Sequence, residues 1–357
     1  MISLAGTLAA PLPYFGGKSL ACELVWSLFG YVDNYVEAFC GSAAMLLGRY
    51  DEPGVETIND YDCMISNMWR SLQAAPDETA YHADWPTNEC DLLARHSWLV
   101  RQKDTLRDAL NDPAYYDAKI AGWYIWGACN WIASGWCSGT GPWIWDGEKI
   151  VDSRQLPHLG NAGQGINRKL PHLGNAGRGI NRQLPHLGNA GQGINRQLPH
   201  LSAGRGRYEY ILEWFNLLHN RLRDVRVACG DWHRVLTDSV TTRHGMTGVF
   251  LDPPYDKGDM DYGDGGMGLG ISAAVREWCR QNGDNPLLRI VLCGHAGEHD
   301  ALVDHGWSVH TWTARKGYAL TDEAVENSAS ETVWASPHCI ARIPPQASIF
   351  DILEATP

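Results

Sequence analysis

The chain has 357 residues, of which 44% are hydrophobic and 20% charged, a balance that supports a buried core and excludes a disordered polymer. At about 100–200 residues per domain, this length predicts two domains or one with a large insertion. The formal charge of −12 argues against a surface coated with nucleic acid along its whole extent.

The sequence contains no run of about 18 apolar residues, so no membrane-spanning helix is expected. Met1 to Leu12 is apolar but lacks the basic segment of a secretory signal. Ten cysteines without a C-x-x-C pair predict reduced thiols in a cytoplasmic protein, and neither a zinc ribbon nor a disulfide framework. Sixteen tryptophans against six phenylalanines supply flat aromatic faces that suit a core or base stacking equally well.

In chain order, a helical pattern over Ser19 to Phe29 precedes a strand at Tyr35-Val36-Glu37. That strand runs through the turn Ala38-Phe39-Cys40-Gly41-Ser42 into a helix at Ala43 to Leu47. A second strand, Val55 to Ile58, ends at Asn59-Asp60. Later come a helix at Tyr208 to Leu222, a strand at Val225 to Cys229, and Gly248 to Leu251 ending in Asp252-Pro253-Pro254-Tyr255. A helix at Ser272 to Gln281 follows, then strands at Arg289 to Cys293, Ser308 to Trp312 and Thr332 to Ala335. Strands alternating with helices predict an α/β fold with a largely parallel sheet. Ligands of such sheets bind at the carboxyl ends of the strands, where all three polar or glycine-bearing loops fall.

Residues 66 to 207 break the alternation and read as an inserted domain. Tryptophans at 123, 126, 131, 136, 143 and 145 cluster there, either as core or as a base-reading surface. Arg154 to Asn167 reads RQLPHLGNAGQGIN, and two near copies start at Arg168 and Arg182, with a truncated fourth from Arg196 to about Gly206. Three glycines, one proline and two asparagines per copy predict turns rather than helix. From Arg154 to Arg207 there are eight basic residues and no acidic one, so the remainder of the chain carries −20 against the total of −12. Two readings stay open for this segment: an arm that touches a polyanion, and a solvated duplication without specific contacts.

The sharpest chemical signal is Asp252-Pro253-Pro254-Tyr255. Two prolines stiffen the turn and remove backbone donors, so a carboxylate, a carbonyl and an aromatic face converge at one strand end. That set suits an exocyclic amine: Asp252 and the Pro253 carbonyl accept its N–H groups while Tyr255 stacks on the ring. Glu37 to Ser42 forms a glycine turn that admits a cofactor to the backbone. Asp60 can accept both hydroxyls of a ribose. Pro13-Tyr14-Phe15-Gly16-Gly17-Lys18 is a second glycine turn, without the spacing of a triphosphate-binding loop.

In this order and spacing the motifs resemble the Dam-like, alpha-group DNA adenine-N6 methyltransferases. Members open with P-Y/W-x-G-G-K, continue with an E-P-F-x-G-type loop and an acidic N-D element, and carry D-P-P-Y after a target-recognition insertion. Cys229-Gly230-Asp231-Trp232 is similar to the family's G-D-F/W element. The resemblance covers roughly 1–65 and 208–335, with Ala38 standing where the family often has proline and the repeats falling in its most variable region. It implies a Rossmann-like class I methyltransferase domain formed by 1–65 and 208–345, interrupted by a target-recognition domain at 66–207 with repeats at 154–206.

The resemblance further implies S-adenosylmethionine as methyl donor, held by Tyr14, Gly17, Lys18, Glu37, Phe39, Gly41, Asp60 and Asp252, and no metal. The target it implies is an adenine flipped out of double-stranded DNA, met by Asp252, Pro253, Pro254 and Tyr255. Asp231 is expected to contact base or cofactor, and on the polyanion reading of the basic segment Arg168, Arg178, Arg182 and Arg196 contact phosphates. A phage or prophage origin, a cognate restriction endonuclease as partner and a monomer or weak dimer fit the same picture. Cytosine-N4 or RNA methylation, and a catalytically inactive DNA-binding protein, are the competing readings.

Overall fold

The computed structural model describes residues 8–13, 18–51, 54–131, 136–137, 143–145, 150–152, 207–255, 270–311 and 331–340. Tyr14, Gly17, the repeats with Arg168, Arg178, Arg182 and Arg196, and the strand residue Trp312 lie outside them.

Seven strands form one sheet. In chain order they are β1 (Asn34–Glu37), β2 (Val55–Asp60), β5 (Arg226–Cys229), β6 (Thr247–Leu251), β7 (Leu288–His295), β8 (Ser308–Thr311) and β9 (Glu331–Ala335), with a separate hairpin of β3 (Trp143–Trp145) and β4 (Ile150–Asp152). The order across the sheet is β5-β2-β1-β6-β7-β9-β8. From β5 to β7 all pairings are parallel, while β9 runs antiparallel to both β7 and β8. The largely parallel α/β sheet expected from the alternation is present, and every strand in it matches a predicted run to within two residues.

β1 and β6 are buried along their whole length, as parallel strands covered on both faces must be. The period of two sorts their side chains into two cores. Tyr35, Ile58, Phe250, Val291, Cys293 and Val333 join one cluster with α1 (Cys22–Phe29), α2 (Ala44–Leu47) and α3 (Cys63–Ala74). Val36, Val249, Leu251, Ile290, Leu292 and Trp334 form the other, under α8 (Ile271–Asn282). The result is a three-layer arrangement with the sheet in the middle.

Apart from the β3–β4 hairpin, the described part of 66–207 is helical: the end of α3, then α4 (Pro76–Ala83), α5 (Glu89–Ala109) and α6 (Ala118–Asn130), with α7 (Arg207–Leu222) following. Asn88 and Asp117 start α5 and α6 by accepting the Asp91 and Ile120 backbone N–H groups, as N-caps do. α6 is apolar almost all round and buried, which suits a helix enclosed by others. Gly122 lets α4 lie against it, since a Cβ there would stand 2.7 Å from the Thr79 carbonyl oxygen. The anticipated boundary at residue 66 falls inside α3, and Leu99, Leu106, Ile120 and Ile125 share the apolar cluster of α1 and β1. No described helix is long and apolar enough to cross a membrane, and all ten cysteines are free.

Candidate active site

The loops that follow β1, β2, β5, β6 and β7 meet along the carboxyl edge of the sheet. β1 sits between β2 and β6, with Glu37 level with Phe250, so the turn after Glu37 lies beside the Asp252 motif.

That turn is tightly wound. Gly41 has φ +43°, and Ala43 adopts the left-handed region at φ +48°, which costs a non-glycine residue about 1–2 kcal/mol. It is held from several sides. Cys40 donates to the Asn59 carbonyl at 2.9 Å and Ala43 to the Cys40 carbonyl at 2.6 Å, while Trp69 Nε1 donates to the Gly41 carbonyl at 3.0 Å. α2, the helix that follows, is a single turn, too short for its dipole to attract an anion strongly.

Asn59 fastens neighbouring strand ends together. Its Nδ2 donates to the carbonyls of Ala38 at 3.0 Å and Gly230 at 2.9 Å. Next to it, the Asp60 carboxylate accepts the Gly41 backbone N–H at 2.9 Å and the Asp62 N–H at 2.8 Å. Both oxygens are thereby oriented, with the carboxylate braced against the β1 turn. Phe39 and Trp232 pack with ring centroids 6.1 Å apart, giving an aromatic wall between the β1 and β5 loops. Asp231 is exposed and caps the short turn that follows it, accepting from His233 N at 2.9 Å and facing His233 Nδ1 at 2.8 Å.

Asp252 lies at the centre. Its Oδ1 accepts the Tyr255 hydroxyl at 3.0 Å, and its Oδ2 stands 3.3 Å from Lys18 Nζ. Lys18 is buried and also lies 3.6 Å from Glu331 Oε1 and 5.1 Å from the Tyr255 ring centroid. Burial works against the Lys18 charge, but the Asp252 and Glu331 carboxylates outweigh it and hold its pKa above the ordinary lysine value. Tyr255 meets His295 in an edge-on contact at 4.7 Å. Burial, then the Asp252 charge, push its phenol well up, so it stays a hydrogen-bond donor.

Glu37 is 2% exposed and turns inward. One oxygen accepts both the Tyr35 hydroxyl at 3.0 Å and the Leu46 N–H at 3.3 Å. Burial drives its pKa up to about 8 against those two bonds, helped by the Asp252 and Glu56 charges. In the free protein at pH 7 it is therefore mostly an acid rather than a carboxylate.

Of the residues singled out in the sequence, Lys18, Asp252 and Tyr255 are in direct contact, with Pro253 and Pro254 between them and Glu37 adjoining. Phe39, Gly41 and Asp60 form the neighbouring loops, and Asp231 lies further along the same edge. Glu331 and His295 belong to the cluster and were not anticipated. His295 ends the apolar run of β7 as Asp252 ends that of β6, a signal available in the sequence. Glu331 opens its strand, and only the reversal of β9 brings that opening to the carboxyl edge; register pairs it with His295. Among the described residues no group of three or more His, Cys, Asp or Glu side chains could hold a metal ion.

Compared with known protein families and with curated proteins, the chain matches no family model and no curated sequence.

Proposed function

We propose that this protein transfers a methyl group from S-adenosylmethionine to N6 of an adenine extruded from double-stranded DNA. The observation that carries the reading is the convergence of Asp252, Tyr255 and Lys18 at the end of β6, beside the braced turn at 38–43. A parallel sheet with a reversed strand between β7 and β8 accords with the class I methyltransferase plan that the sequence resemblance implies.

The residues fit the donor by chemistry. Asp60, its two oxygens oriented by backbone N–H groups, suits ribose hydroxyls, and the Phe39–Trp232 wall suits an adenine ring. Asp252 suits a cationic centre, and a positive charge bound nearby would favour the ionised form of the inward-turned Glu37. When bound, S-adenosylmethionine supplies an electrophilic methyl group on a sulfonium.

The chain's own residues grip and orient the target. Extruding a base costs a few kcal/mol, and stacking on Tyr255 returns about 1–3 kcal/mol. The Asp252 carboxylate has about four acceptor directions. Tyr255 and Lys18 each engage one of its oxygens and fix its plane before the amine arrives. Accepting the amine N–H groups at Asp252 and at the Pro253 carbonyl favours a pyramidal nitrogen, whose lone pair is released from the ring. Orientation then carries most of the acceleration. Contacts from Arg168, Arg178, Arg182 and Arg196 to phosphates would anchor an otherwise acidic body on DNA.

Expression in a host free of DNA methylation, followed by sequencing with direct readout of modified bases, tests the reading. N6-methyladenine at a fixed word supports it. N4-methylcytosine would replace the target base, and unmodified DNA with intact cofactor binding would overturn the activity.

A further inference from the structure

We infer that Glu331 is a positioning residue for methyl transfer, acting on Asp252 through the shared Lys18 ammonium; this rests on the methyltransferase reading and deepens it. Lys18 stands between two carboxylates from different strands, 3.3 Å from Asp252 and 3.6 Å from Glu331, with the Tyr255 ring at 5.1 Å. It is 5% exposed, whereas the two carboxylates keep about a fifth of their surface. A buried ammonium needs compensating charge, and here two anions share that duty.

The sharing has two consequences. A cation divided between two carboxylates is held off a tight one-to-one pair with either, so Asp252 keeps acceptor capacity for an incoming amine. The trio also keeps a net charge of −1, which favours a cationic ligand beside it. Neutralising Glu331 leaves Lys18 drawn toward Asp252 and the trio neutral. Asp252 would then move off its stance between Tyr255 and Lys18, and a displacement of about 1 Å at a reacting group costs roughly 100-fold in rate.

Burial raises the pKa of Glu331 while Lys18 opposes it, so this carboxylate titrates above the ordinary glutamate range. The groups facing the trio are Tyr255 and Asp252 after β6, Cys293 and His295 on β7, and Glu37 on β1. Glu37, which is also raised by burial, gives a separate inflection.

The test uses the full chain labelled with 15N-lysine as wild type, E331Q, E331D and K18M, the last to assign the Lys18 signal. In wild type the Lys18 ammonium resonance shifts as Glu331 takes up its proton. In E331Q that inflection disappears while the one from Glu37 remains. In parallel, methyl incorporation into unmethylated genomic DNA is followed against pH. The E331Q kcat falls at least about tenfold with KM for DNA within about twofold, the acid limb is lost, and E331D recovers part of the rate. An inflection that persists in E331Q, or a rate and pH profile equal to wild type, overturns the inference. Wild-type protein that transfers no methyl group while the resonance behaves as described overturns the methyltransferase reading instead, and with it the role in transfer.

Discussion

Replacing Glu37 with glutamine should make the protein more stable at neutral pH and leave it unchanged in acid. The side chain is 2% exposed and its pKa is raised to about 8, against an ordinary value of about 4.3 in the unfolded chain. Between those values the folded state binds more protons than the unfolded one, so stability falls as pH rises through that window. At 1.36 kcal/mol per unit, the cost is about 3–4 kcal/mol at pH 7 and levels off near 5 kcal/mol above pH 8. Glutamine keeps an oxygen to accept from the Tyr35 hydroxyl and the Leu46 N–H and carries no titration. With an unfolding entropy of about 2.1 cal/mol/K per residue, the gain at pH 7 corresponds to a Tm about 5 °C above wild type. Thermal melts of both proteins from pH 4 to pH 9 would show curves that coincide in acid and diverge through neutrality. Parallel curves over the whole range would refute the assignment of a buried, proton-holding acid.

Three further outcomes are expected, those on methylation and DNA binding resting on the proposed function. Asp252→Ala or Tyr255→Ala abolishes methylation with the fold retained by circular dichroism, whereas Tyr255→Phe, which keeps the stacking face and loses only the bond to Asp252, retains activity at a reduced rate. Asn59→Ala strips the donor from the Ala38 and Gly230 carbonyls and lowers stability by about 2–3 kcal/mol in denaturant titrations; Asn59→Asp is worse, because it points a carboxylate at both carbonyls. Neutralising Arg168, Arg178, Arg182 and Arg196 weakens DNA binding and lowers the slope of log affinity against log salt by up to about 0.9 per lost phosphate contact, measured by fluorescence anisotropy; an unchanged slope would exclude these residues from the interface.

The sheet was legible because its central strands are short apolar runs ended by polar or glycine loops, and such strands have little freedom to look otherwise. β1 and β6 are the clearest cases: Tyr35-Val36-Glu37 and Gly248 to Leu251 point to the strands directly. The helices α4 to α6 were not anticipated individually, since α4 and α5 are largely polar, α6 is apolar almost all round, and their burial is decided by tertiary contact. Gly122 packs against α4, and Arg95 lies over the rings of Trp85, Trp123 and Trp126. In the site, the side chains legible in advance were Lys18, from its glycine turn ahead of α1, and those ending or following β1, β2, β5 and β6. Glu331 escaped because strand direction is not written in a five-residue apolar run. The inward turn of Glu37 escaped because it depends on Tyr35 and Leu46, which sequence pattern does not single out.

The ion cluster at Lys18 also bears on when the molecule becomes competent. A polypeptide leaving the ribosome exposes this lysine long before Asp252, and longer still before Glu331, have been synthesised, and non-local contacts of this kind form late. Until the reversed strand docks, the ammonium has at most one of its two carboxylate partners. A nascent chain halted ahead of residue 331 thus displays every motif that the amino-acid order advertises while its central cation still lacks the second anion.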